Sequence, residues 1–127
     1  MIETAISSKL VYSLRHDYKA KILKLHGHAM QEPGWPDLYI AHPKFVGWIE
    51  TKGVNTLVKT IQRTVMEELA MCNVDVFILT FLTENHYSIE DKDDFILVEF
   101  SFPVHKWMTG AGLLLDHLNG LRNHTRL

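Results

Sequence analysis

Two acids and a lysine in one short stretch are the residues of this chain whose types and spacing suit chemistry. The stretch runs from Trp35 to Gly53, WPDLYIAHPKFVGWIETKG. Asp37 directly follows Pro36, and Glu50 and Lys52 are separated by one residue, Thr51. Two short apolar runs, Leu38 to Ala41 and Phe45 to Ile49, flank His42-Pro43-Lys44, so two strands joined by a proline-containing turn are expected. Side chains alternate faces along a strand, which puts Glu50 and Lys52 on one side and Ile49 and Thr51 on the other. If the strands pair as a hairpin, Asp37 lies near Glu50, at the end away from the turn. Two carboxylates and an ammonium then converge at a solvent-facing edge of a sheet. Such a cluster is costly unless a cation or a substrate uses it.

The rest of the chain must position that cluster. Its 127 residues suit a single domain with a buried core. Hydrophobic residues at 46% and charged residues at 22% are ordinary for a globular protein. A formal net charge of -2 gives no global field to attract nucleic acid, so any basic surface is local. The eight histidines are scattered, and none pairs with the lone Cys72 at zinc-site spacing. One cysteine excludes an internal disulfide and favours a reducing compartment. No apolar run approaches membrane-spanning length, so a soluble, cytoplasmic protein is expected.

Ile6, Leu10 and Leu14 recur every four residues and predict an amphipathic helix from Ile2 to Asp17, with Glu3 in its first turn. Lys19 to His26 alternates and predicts a short strand, followed by a loop from Gly27 to Gly34. Beyond the hairpin, Asn55 or Thr56 is a candidate cap. The helix it would start buries Leu57, Ile61, Val65, Leu69 and Cys72 as one stripe, with Gln62 just off it. Val74 to Leu82 is an almost continuous apolar run. A buried strand after a helix is the pattern of a crossover onto a covered sheet. Glu84 to Asp94 is polar and acidic and reads as an exposed excursion. Phe95 to Phe102 reads as a strand, Met108 to Leu121 as a helix, and the basic tail from Leu121 to Leu127 as frayed.

The order helix, three strands, helix, strand, together with these residues, resembles the PD-(D/E)XK nuclease superfamily. Pro36-Asp37 and Glu50-Thr51-Lys52 match its two half-motifs. Within the superfamily the wording is most similar to the VRR-NUC group, related to Holliday-junction resolvases. The matching features are Glu3 on the first helix, Lys24 before Leu25-His26-Gly27, Gly34-Trp35-Pro36-Asp37-Leu38, the Glu50-Thr51-Lys52 strand and Gln62 on a helix. The resemblance covers residues 3–82, leaving 83–127 as an extension of the same domain. It implies an α/β, restriction-endonuclease-like core, α-β-β-β-α-β, with a mixed sheet flanked by helices and an extra strand and helix after it.

The resemblance also implies a metal-dependent DNA endonuclease. Mg²⁺, with Mn²⁺ able to substitute, would be held by Asp37, Glu50 and the Thr51 carbonyl, with Glu3 reaching the site directly or through water. Asp37, Glu50, Lys52 and Gln62 form the implied catalytic set, in which Lys52 positions the attacking water and offsets developing charge. Lys24 and His26 are implied phosphate contacts. The implied substrate is branched or structured DNA, cut by a homodimer, and the small size fits a phage or mobile-element origin. A flap or nicking nuclease acting as a monomer, and a non-catalytic nucleic-acid-binding module, are the alternatives. Taken singly, the residues have plainer readings. Glu50 and Lys52 could be an exposed ion pair worth about 0–1 kcal/mol, and Asp37 could simply open a turn. Their joint presence in the right order favours the site.

Overall fold

The computed structural model describes residues 2–25, 33–53, 57–83, 86–91, 97–101 and 107–125, with side chains for 7–25, 33–53, 57–80 and 111–120. Helix α1 spans Ile2–Asp17, followed by β1 (Lys21–Lys24), β2 (Leu38–His42), β3 (Phe45–Gly53), α2 (Thr60–Met71) and β4 (Val76–Thr83). Strands β5 (His86–Asp91) and β6 (Leu97–Ser101) and helix α3 (Trp107–Thr125) complete the chain. The six strands form one sheet in sequence order, β1-β2-β3-β4-β5-β6. Among the described strands only the β3–β4 pair is parallel, because α2 carries the chain back across the sheet between them.

Two apolar layers hold the sheet. On one face α1 and α3 pack together against it, burying Leu10, Val11 and Leu14 with Leu38, Ile40, Phe45, Ile49, Phe77 and Leu79. Each such side chain contributes roughly 1.5–3 kcal/mol through its removal from water. On the other face α2 seats Met66 on Val76 and Ile78, with Trp48 and Leu69 beside them. Asn73 ends α2 in a left-handed conformation, φ 64°. The Asn73 N–H donates to the Ala70 carbonyl and the Val74 N–H to that of Leu69, which caps the helix and turns the chain into β4. No helix among the described residues is long and apolar enough to cross a membrane.

Several sequence expectations change. The segment read as an acidic excursion contains β5, whose backbone pairs with β4 and β6. The final helix runs to Thr125, through part of the tail expected to fray. Helix α2 begins at Thr60, after Lys59 at the capping position; residues 54–56, and with them Asn55 and Thr56, lie outside the described residues. Its buried stripe is also displaced. Leu57, Ile61 and Cys72 are exposed, and Met66 is the buried residue, because the helix turns the Gln62–Met66 line to the sheet.

Glu50 and Lys52 do not lie at a sheet edge. Strand β3 extends through Gly53 and is flanked by β2 and β4, so both residues sit on an interior strand. Gly47 lets that strand pack closely: a Cβ there would come within 2.5 Å of the Asp75 carbonyl oxygen and 2.7 Å of the Phe45 ring. The same carbonyl accepts the Trp48 N–H at 2.9 Å, which ties the two backbones together. Gly47→Ala is therefore predicted to lower stability by about 1–3 kcal/mol in urea denaturation. Wild-type stability would show that the 73–75 turn yields freely.

Candidate active site

The β2–β3 register pairs Leu38 with Ile49, which sets Asp37 beside Glu50 one step further along. The Asp37 N–H donates to Glu50 Oε1 at 3.1 Å. Thr51 then holds both oxygens of Asp37. Its N–H donates to Oδ1 at 3.0 Å and its hydroxyl to Oδ2 at 2.5 Å. On the other side Glu50 Oε2 accepts from Lys52 Nζ at 3.1 Å and from Gln62 Nε2 at 3.0 Å. The four residues of the expected catalytic set, with Thr51, thus form one connected group.

Gln62 is aimed by the start of its own helix. Its Oε1 accepts the Lys59 N–H at 2.9 Å, a link from the third helical residue back to the cap. With the oxygen engaged there, the amide nitrogen faces Glu50. Gly34 brings α2 close to the segment leading to Asp37. Its φ of 94° suits glycine alone, and a Cβ would lie 2.8 Å from the Ile61 carbonyl oxygen. Trp35 and Trp48 meet edge to face at 5.4 Å between centroids, beside the cluster.

Burial governs the electrostatics. Glu50 is 4% and Lys52 7% exposed, far from the wet ion pair that E-x-K spacing alone allows. Desolvation, then the neighbouring Asp37 charge, pushes the Glu50 carboxyl up to about 7 despite Lys52. Desolvation also raises Asp37, against the pull of its Thr51 hydrogen bonds and of the Lys24 ammonium. This is a like-charge burden of the kind that a bound cation would relieve.

The donor set fits a hard cation. A carboxylate oxygen has two lone pairs. Glu50 Oε2 uses both on Lys52 and Gln62, whereas Glu50 Oε1 and both Asp37 oxygens each accept one bond among the described residues. Mg²⁺ needs only one or two carboxylates and keeps several waters. No cluster of three or more His, Cys, Asp or Glu is present among the described residues.

The remaining expected residues are placed less fully. Lys24 ends β1, half-buried, and the next residue's N–H donates to the Asp37 carbonyl at 2.8 Å. Glu3 is in the first turn of α1, but its side chain lies outside the described residues, as does all of His26. Sequence reasoning missed the Thr51 hydroxyl, having used only its carbonyl, and missed Lys59 as the backbone donor that orients Gln62. The signal for the second was a glutamine three residues beyond the cap.

No model of a known protein family matches the chain, and no curated protein matches it significantly. Among solved structures, the chain is similar to Archaeoglobus fulgidus Hjc, a Holliday junction resolvase from an archaeal hyperthermophile. The identity is 12% and the TM-score 0.54, over 86% of this chain and 99% of the resolvase. At that identity the likeness concerns the fold. The chain has an α/β, restriction-endonuclease-like core, with a mixed sheet flanked by helices, as expected from its sequence.

Proposed function

We propose that this protein is a metal-dependent DNA endonuclease of the PD-(D/E)XK type that acts on branched DNA in the manner of a junction resolvase. The observation that carries this reading is the buried Asp37–Glu50–Lys52–Gln62 group, with two raised carboxyls and lone pairs left on three of their oxygens. The likeness of the fold to that of a Holliday junction resolvase supports it. The finer kinship with the VRR-NUC group rests on the Gly34-to-Leu38 segment, the Glu50-Thr51-Lys52 strand and the helical Gln62.

Asp37 and Glu50 would hold Mg²⁺, or Mn²⁺ in its place, with the Thr51 carbonyl and Glu3 as further oxygen donors. Bound there, the ion would supply a water of lowered pKa and draw charge from the scissile phosphate. Thr51 fixes both oxygens of Asp37, so that carboxylate does not reorganise during the reaction. Gln62 holds Glu50 Oε2, while Oε1, which accepts the Asp37 N–H, keeps a lone pair for the cation. Lys52 places its ammonium where negative charge grows on the phosphate and holds the attacking water by hydrogen bonding. Lys24 and His26 contact a neighbouring phosphate. Symmetric cutting of two strands calls for a homodimer, since a two-fold pair presents two copies of the site.

The test is cleavage of labelled four-way junction, flap, single-stranded and duplex DNA in Mg²⁺, Mn²⁺ or EDTA, with Lys52→Met alongside. The expected result is paired, metal-dependent cuts in the junction, reduced about 10²–10³-fold in the variant. Wild-type cutting by Lys52→Met would sink the mechanism, and cuts confined to flaps would replace the resolvase reading with a monomeric nuclease.

A further inference from the structure

Among the described residues, positive charge gathers on the segment that leads into and forms one edge of the sheet. Residues 7–25, from α1 through β1, hold Lys9, Arg15, Lys19, Lys21 and Lys24 against one acid, Asp17, in a chain of net charge -2. Asp17 already accepts the Ser13 hydroxyl at 2.8 Å. Strand β1 is the edge strand, with Lys21 exposed on it and Lys19 exposed just before it. Arg15 lies along the strand, where Nη2 donates to the Ile22 carbonyl at 2.9 Å. The far side of the sheet is the reverse. Strands β5 and β6 carry Glu90, Asp91 and Glu99 and no lysine or arginine.

Lysine on an edge strand discourages pairing with another sheet, and that accounts for Lys21 taken alone. It does not account for Lys19. The backbone there has φ 58°, a left-handed helix end that favours glycine or asparagine. The equivalent turn after α2 uses Asn73 at φ 64°. Compensation of the helix dipole is no better an explanation, because Arg15 and His16 already occupy the last turn of α1. A strained position thus holds a cation that the fold does not require.

We infer that the β1 edge, with Lys19 and Lys21 at its centre, is the surface that takes the phosphate backbone of DNA and leads a strand to Asp37. The route is continuous. Lys24 closes β1, its ammonium acts on Asp37, and the adjoining Leu25 N–H donates to the Asp37 carbonyl. At the other end of the sheet, β5 and β6 contain no lysine or arginine, so the β1 end is the one that attracts phosphate. This inference rests on the nuclease reading for its choice of ligand, but binding is measurable without cleavage.

The experiment is anisotropy of a labelled four-way junction and a duplex in EDTA over a range of salt concentrations. It compares the wild type with the double variant Lys19→Asn, Lys21→Ser. Lys44→Ser serves as control, since Lys44 is an exposed cation on the β2–β3 turn, paired with Asp116. The double variant is expected to bind about tenfold or more weakly at low salt, with a salt slope smaller by nearly 2, because each phosphate contact contributes about 0.9. Its Tm is expected to be unchanged or higher, since asparagine accepts the left-handed backbone. Lys44→Ser is expected to match the wild type. A wild-type slope in the double variant, or an equal loss in Lys44→Ser, overturns the inference. A wild type that shows this binding pattern yet cuts nothing in Mg²⁺ or Mn²⁺ removes the nuclease reading and leaves the edge as a binding surface.

Discussion

Glu50→Gln is expected to abolish cleavage and, at pH 8, to make the protein more stable. The folded Glu50 carboxyl titrates near 7, against 4.5 as its ordinary value. The fold therefore favours the neutral form, and between those pH values the native state holds a proton that the unfolded chain has released. This contribution is fully present below about pH 4.5 and is lost as pH climbs through 7. At 1.36 kcal/mol per pKa unit the charged form costs the native state about 3 kcal/mol, with the attraction to Lys52 already contained in that value. Glutamine keeps the shape and stays neutral. Allowing for relaxation of the site, urea denaturation in EDTA should show a gain of about 1–3 kcal/mol at pH 8 and almost none at pH 5. Cleavage should fall about a thousandfold, as loss of a carboxylate that holds the cation removes several kcal/mol of charge stabilisation. A variant that is less stable than the wild type at pH 8 would contradict the burial argument; one that still cuts would contradict the site.

Proton release on metal binding is the second large effect. A divalent cation held by both Asp37 and Glu50, as proposed, needs both ionised, and both are raised in the folded protein, Glu50 to about 7. At pH 6 most molecules hold a proton on the pair, which titrates as one coupled unit. Mn²⁺ binding should therefore strengthen about tenfold per pH unit up to about pH 7 and then level off. Close to one proton should leave per ion bound at pH 6, and few at pH 8. Titration calorimetry in two buffers of different ionisation enthalpy reads that number directly. Zero release at pH 6 would show that the raised carboxyls are not the metal's ligands.

Local rules made much of this arrangement legible in the sequence. Alternation and Pro43 marked the β2–β3 hairpin, and the pairing of its ends brought Asp37 to Glu50 as expected. Long-range packing was less legible. Glu50 and Lys52 were expected at a solvent-facing edge because period-2 alternation assigns a face but does not say which strands flank it. Pairing with β4 and cover from α2 bury them, so both the raised carboxyl and the gain expected for Glu50→Gln were outside the reach of spacing alone. Helix α2 shows the same limit. Its apolar stripe, read at Ile61 and Val65, is real in the sequence, yet the helix turns Gln62 and Met66 to the sheet. Strand β5 was missed because the acids around it, Glu84 and Glu90 to Asp94, outweighed the short alternation of Tyr87 and Ile89; its pairing with β4 and β6 defines it as a strand.

The single parallel pairing, β3 with β4, also sets the order in which the site matures. Asp37, Glu50, Thr51 and Lys52 all belong to a local hairpin, which closes within microseconds once its residues are available. Their burial depends on α2 and β4, which lie later in the chain and join through a non-local contact that forms more slowly. A half-folded chain consequently carries these acids in water, where they titrate at their ordinary values and bind cations weakly. The buried state of the cluster therefore arrives only once α2 and β4 are in place, so a chain short of that point lacks the raised carboxyls on which the proposed chemistry rests.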